Sequence, residues 1–140
     1  MNDVADWVQQ YLDAWNRHDA AAVAAFMAED ATYEDLALGV KHEGRDAIKA
    51  FVAEAEQFSS DHKFLAVSEQ MSGGRYALEW EMVGTNTGEA GGLPATNKPF
   101  RIRGVSIGHL ASDGTIQENR DYWNMTDYLM QVGLMPTPGA

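Results

Sequence analysis

Asp121 stands directly before Tyr122 and Trp123 in the segment Thr115–Trp123, which reads as the returning strand of a long β-hairpin. A carboxylate in an aromatic strand needs either contact with solvent or a chemical use. Alternation along a strand puts Trp123 on the same side as Asp121. An apolar neighbour of that kind raises a carboxyl pKa toward the working pH, where the group serves best as a general acid or base. The competing reading pairs Asp121 with Arg120, Arg101 or Arg103 in a structural ion network. Other residue types add little: His18, His42, His62 and His109 form no metal-ligand spacing, so no metal is expected. His42 lies in a loop within reach of a pocket mouth, and Trp80 and Met82 read as core or pocket walls.

The elements that must position Asp121 follow from periodicity. Val4, Trp7, Val8, Tyr11, Leu12 and Trp15 fall on one helical face, with Asp3 available as N-cap. Asp19 can cap a second, Ala-rich helix reaching about Ala28, whose buried side is Val23, Phe26 and Met27. Ala31–Leu36 reads as a short strand carrying Glu34 and Asp35, and Leu38–Gly44 as loop. Arg45–Phe58 is a third helix with Ile48, Phe51, Val52 and Ala55 on its apolar side. From there the period changes to two. His62–Met71 and Arg75–Thr85 are strands joined at Ser72-Gly73-Gly74, and Phe100–Ala111 and Thr115–Trp123 are joined at Ser112-Asp113-Gly114. Asn86–Pro99 is a Gly- and Pro-bearing loop, and Met125–Leu134 is helical before a frayed tail. Helices first and consecutive antiparallel strands afterwards predict an α+β domain, its helices on one face of a curved sheet with a cavity between the layers.

The chain has 140 residues, enough for one domain, expected over residues 1–135 with a flexible 136–140. Its 21 acidic and 10 basic residues give a net charge of -11, which repels phosphate backbones and argues against a nucleic-acid partner. Without cysteine there is no disulfide, thiolate metal site or thiol nucleophile. No apolar run approaches the ~20 residues that span a bilayer, and the acidic start lacks the basic region of a signal peptide. A cytoplasmic protein with no membrane partner is the expectation.

The run GTNTGEAGGLPATNKPFRIRGVSIGHLASDGTIQENRDYWNMTDYLMQVGLMP, Gly84 to Pro136, resembles the SnoaL-like polyketide cyclases of the nuclear transport factor 2-like superfamily. A Tyr-bearing first helix, then EDATYED and HEGRDAIKAFV, is similar to the opening shared with ketosteroid isomerases. The resemblance covers nearly the whole chain. It implies a cystatin-type α+β cone, a deep pocket for a hydrophobic small molecule, no cofactor, and a homodimer formed through sheet faces. It gives Asp121 the acid/base role in moving a proton beside a carbonyl, as in aldol ring closure. Asp35 and Tyr11 stand where ketosteroid isomerases keep a general base and an oxyanion-binding tyrosine, while Ser106 replaces their third, protonated acid. Trp123 and Trp15 would shape the pocket. Limonene-type epoxide hydrolases share a sequence like RDYW, but the earlier strand reads Glu79-Trp80-Glu81-Met82 without their Arg-x-Asp pair. A non-catalytic binding module of the same fold is the other class this resemblance allows.

Overall fold

The computed structural model describes residues 4–139, so Asp3, the expected cap of the first helix, lies outside the described residues. Helix α1 (Asp6–Asn16) instead begins at Ala5, whose N–H donates to Glu69 Oε2 at 2.6 Å. Helix α2 (Ala20–Ala25) is capped by Asp19, which accepts from the Ala22 N–H at 3.0 Å. It stops three residues short of the expected end because Met27 already starts strand β1 (Met27–Asp35). Strand β2 (Val40–Glu43) occupies what the sequence presents as loop: Gly39, at φ 71°, turns the chain tightly enough for β1 and β2 to form a hairpin. Helix α3 (Arg45–Ala55) gives way to a 3₁₀ turn over Glu56–Phe58.

Strands β3 (Lys63–Ser72), β4 (Arg75–Thr85), β5 (Pro99–Leu110) and β6 (Ile116–Trp123) complete one six-stranded sheet in the order β2-β1-β6-β5-β4-β3. Helix α4 (Met125–Gln131) follows directly. The sheet is mixed, where sequence order alone leads to antiparallel strands: β1 lies parallel to β6, and every other neighbouring pair is antiparallel. The parallel pair joins the first strand to the last and so brings Tyr33 and Asp35 beside Asn119 and Asp121. Register shifts in β1/β6, β3/β4 and β5/β6 add local bends and twist to the sheet.

Alternation assigns the faces. Tyr76, Leu78, Trp80 and Met82 on β4, and Phe100 and Ile102 on β5, are buried against the helices. They meet Val8 and Leu12 of α1, Val23 of α2, and Ile48 and Val52 of α3 in one core. The outer face carries Arg101, Arg103, Glu79 and Glu81, which pair with one another. Arg101, Arg103 and Arg120, the partners of Asp121 in an ion-network reading, are therefore engaged elsewhere, Arg120 with Glu118.

Gly104 is dictated by packing. It lies opposite Trp80 in the β4/β5 register, and a Cβ there would run into the indole ring. The missing side chain lets Trp80 lie across the sheet and donate Nε1–H to Ser106 Oγ at 2.9 Å.

Candidate functional site

Between the helices and the concave sheet face is a cavity of about 380 Å³, within the size range of small-molecule sites. Its wall draws Trp15 from α1, Tyr33 and Asp35 from β1, Phe51 and Glu54 from α3, and Trp80 and Met82 from β4. Asp121 and Trp123 of β6, Tyr128 of α4 and the loop from Asn86 to Leu93 complete it. Leu38 and Leu93, both exposed, belong to the same wall. The loop is fixed at its base: the Asn86 N–H donates to the Lys98 carbonyl, its carbonyl accepts from Thr96 and Asn97, and the Gly88 N–H reaches the Phe58 carbonyl at 3.0 Å.

Asp121 is 8 % exposed and accepts from three neutral donors. Tyr33 donates its hydroxyl to Oδ2, while Ser106 (2.6 Å) and the Asn119 amide (2.9 Å) donate to Oδ1. Each of the latter two is oriented from behind. Ser106 Oγ accepts from Trp80, leaving its own hydrogen for Asp121, and Asn119 Oδ1 accepts from the Tyr76 hydroxyl at 2.6 Å, which turns the amide NH₂ toward the carboxylate. These donors favour the charged form, yet burial outweighs them and pushes the Asp121 pKa up to about 6. The same burial, with the Asp121 charge beside it, holds the Tyr33 hydroxyl well above its usual range.

Asp35 lies on the same parallel pair, in register with Asp121. Trp123 Nε1–H is shared between its two oxygens at 3.1 and 3.0 Å, and the Leu38 N–H reaches Oδ1 at 2.9 Å. Burial raises its pKa as well. The cavity wall therefore holds two carboxyl groups with neutral partners, and no lysine or arginine is part of it.

The residues singled out from sequence divide three ways. Asp121, Asp35, Trp123, Trp15 and Trp80 come together on the wall. Ser106 is not part of the wall; it supports Asp121 from behind. Tyr11 and His42 stand outside it. Tyr11 is buried edge-on against Phe26 at 5.4 Å, with its hydroxyl titrating high through burial, and the hydroxyl on Asp121 comes from Tyr33. His42 stacks on Phe51 at 4.6 Å from β2, because the segment expected to be a loop is paired in the sheet. Sequence reasoning missed Tyr33, Asn119 and His62. Tyr33 precedes Asp35 by two residues and Asn119 precedes Asp121 by two, so strand alternation was the available signal for both. Among the described residues no group of three or more His, Asp or Glu is placed to hold a metal ion, and no helix is long and apolar enough to cross a membrane.

The chain that builds this site matches the SnoaL-like polyketide cyclase family model over residues 5–132. The chain belongs to that family. No curated protein matches it. Among solved structures it is similar to an uncharacterised protein of ketosteroid isomerase-like fold from Catenulispora acidiphila, solved in complex with trimethylamine, at 21% identity and TM-score 0.84, covering 95% of this chain and 96% of that one. It is also similar to IdmH from Streptomyces antibioticus, a candidate polyketide cyclase, at 20% identity, TM-score 0.79 and coverage of 91% and 96%. A third, a candidate polyketide cyclase from Xanthomonas campestris, shows 27% identity and TM-score 0.73, with 89% and 93% covered.

Proposed function

We propose that the cavity performs metal-free acid/base chemistry on a hydrophobic carbonyl compound, of the aldol cyclase or isomerase type. The observation that supports this most is Asp121 itself: a cavity-wall carboxyl with three neutral donors, no cationic partner and a pKa raised to about 6. Near neutral pH it is ionised enough to accept a proton and basic enough to compete for one. A ketone whose α-carbon abuts Asp121 loses a proton to the carboxylate and becomes an enolate. As Asp121 is neutralised it draws less on the Tyr33 hydroxyl, which is then free to donate to the developing oxyanion. Removing such a donor costs about 2.7–4 kcal/mol of transition-state stabilisation. Asp35, held by Trp123 across the strand pair, is the second group able to return the proton. The apolar wall excludes water, so the enolate reacts with a second carbonyl or is reprotonated in place.

Exchange of α-protons in D₂O, followed by NMR over a panel of β-keto esters and unsaturated ketones, tests this without knowledge of the product. Catalysed exchange in wild type, lost on the scale of ~10²–10⁴-fold in Asp121→Asn, supports the reading; no exchange with any member, or equal exchange by both proteins, contradicts it.

The second reading is a non-catalytic binding module, favoured by the fact that both Asp121 oxygens already accept hydrogen bonds. It requires that a carbonyl ligand bind equally well to wild type and to Asp121→Asn with no exchange in either. Family likeness carries a further proposal, a homodimer through the outer sheet face, where Leu65, Ile107 and Tyr122 are exposed. Light scattering on the eluting protein decides between monomer and dimer.

A further inference from the structure

The cavity wall is rich in acceptors and aromatic rings, and three of its side-chain donors are already taken. The Trp123 indole N–H is given to Asp35, the Trp80 N–H to Ser106 and the Tyr33 hydroxyl to Asp121. With their polar atoms turned into the protein, these residues contribute aromatic surface. Trp15, Phe64 and Trp80 meet nearly at right angles, at 5.3 and 5.2 Å between ring centroids, so the wall folds around the space instead of stacking flat. Asp35, Glu54 and Asp121 share the wall with no lysine or arginine. Asp35 and Asp121 are buried, and buried carboxylates are ordinarily paired with a cation; here no side chain supplies one.

His62 points the same way independently. It belongs to the wall and is 1 % exposed. Its Nδ1 lies 3.0 Å from the Ser59 carbonyl, which can only accept, so Nδ1 carries the hydrogen and Nε2 is a bare lone pair. Nε2 has no partner. This side chain thus adds one more acceptor among the wall residues.

Aromatic faces with carboxylates behind them are the recognition chemistry of alkylated ammonium groups, whose apolar coat needs no hydrogen-bond donor and whose charge is attracted by ring quadrupoles. From this geometry we infer that the cavity binds a ligand carrying a tertiary or quaternary alkylammonium group, seated among Trp15, Trp80 and Trp123 with its charge facing Asp35 and Asp121. This goes beyond the carbonyl chemistry proposed above and holds whether or not that chemistry occurs.

The test compares choline with its neutral isostere 3,3-dimethylbutan-1-ol on wild-type protein, following the indole N–H signals of the four tryptophans by NMR. Trp7 lies outside the wall and serves as the internal control. Choline is expected to shift the signals of Trp15, Trp80 and Trp123 saturably and to bind at least tenfold more tightly than the isostere. Sodium chloride at equal ionic strength should not reproduce the shifts, and Asp35→Asn should weaken choline at least fivefold while leaving the isostere unchanged. Equal affinity for choline and the isostere, shifts that follow ionic strength, or no saturable choline binding overturns the inference. The wild-type comparison stands even if Asp35→Asn does not fold.

Discussion

Asp35 and Asp121 are register partners across the only parallel strand pair among the described residues, and both belong to the wall of one cavity. Adjacent strands lie about 4.8 Å apart, so two acids at matched positions feel each other directly. Each has its own neutral donors: Trp123 and the Leu38 N–H for Asp35, Tyr33, Ser106 and Asn119 for Asp121. Burial raises both pKa values, and the Asp35 charge adds to the rise at Asp121.

The raised pKa of Asp121 has a stability consequence. The folded protein holds its proton up to about pH 6, whereas the unfolded chain releases it near pH 3.8. Between those values the native state binds more protons, so stability falls as pH rises, by roughly 3 kcal/mol in all. Asp121→Asn removes that dependence. Urea unfolding at pH 4 and pH 7.5 should show the variant gaining on wild type by an amount of that order as the pH is raised. A difference independent of pH would mean that burial is not what governs this carboxyl.

Tyr33→Phe removes the hydroxyl from Asp121 Oδ2 and leaves the aromatic wall in place. Because that hydrogen bond lowers the Asp121 pKa, its loss should move the titration upward from about 6. Ser106→Ala should do the same through Oδ1 and also leave the Trp80 N–H unpaired. Tyr11→Phe removes a hydroxyl that is not on Asp121 and should move the midpoint less than either. Side-chain carboxyl NMR across pH 4–8 distinguishes the three.

Gly104→Ala should cost about 1–3 kcal/mol, the usual range for overpacking a core, because the new methyl group meets the Trp80 ring. Trp80 fluorescence should change with it. An unchanged spectrum and stability would mean that the ring has room to move.

Removing Arg101, whose partner on the outer face is Glu81, should change stability by less than ~1 kcal/mol, since exposed ion pairs contribute little. The arginine is 62% exposed. The same substitution should leave the Asp121 titration where it is. A shifted midpoint in Arg101→Ala would restore the ion-network reading of Asp121.

Local signals in the sequence reached the helices, the two hairpins and the inward side of β4 through β6, because burial on one face imposes a period of two and a helix a period near 3.6. Asp121 was legible as a polar residue in an aromatic strand. The β1–β6 pairing was not, since it joins segments more than eighty residues apart and leaves no mark in either. That pairing puts Tyr33 on Asp121 and leaves Tyr11 outside the cavity wall. Strand β2 was hidden for a related reason: its four residues, Val-Lys-His-Glu, are mostly polar, and their pairing depends on the turn at Gly39. The expectation for His42 followed from reading that segment as free loop.

The measurement that bears most directly on Asp121 as the acid/base group is its own titration, read from the side-chain carboxyl carbon by ¹³C NMR in wild-type protein and compared with the pH dependence of α-proton exchange. A midpoint near 6, with exchange rising through the same pH and absent in Asp121→Asn, is the predicted result. A midpoint near the ordinary aspartate value, with exchange absent or indifferent to it, would contradict the account.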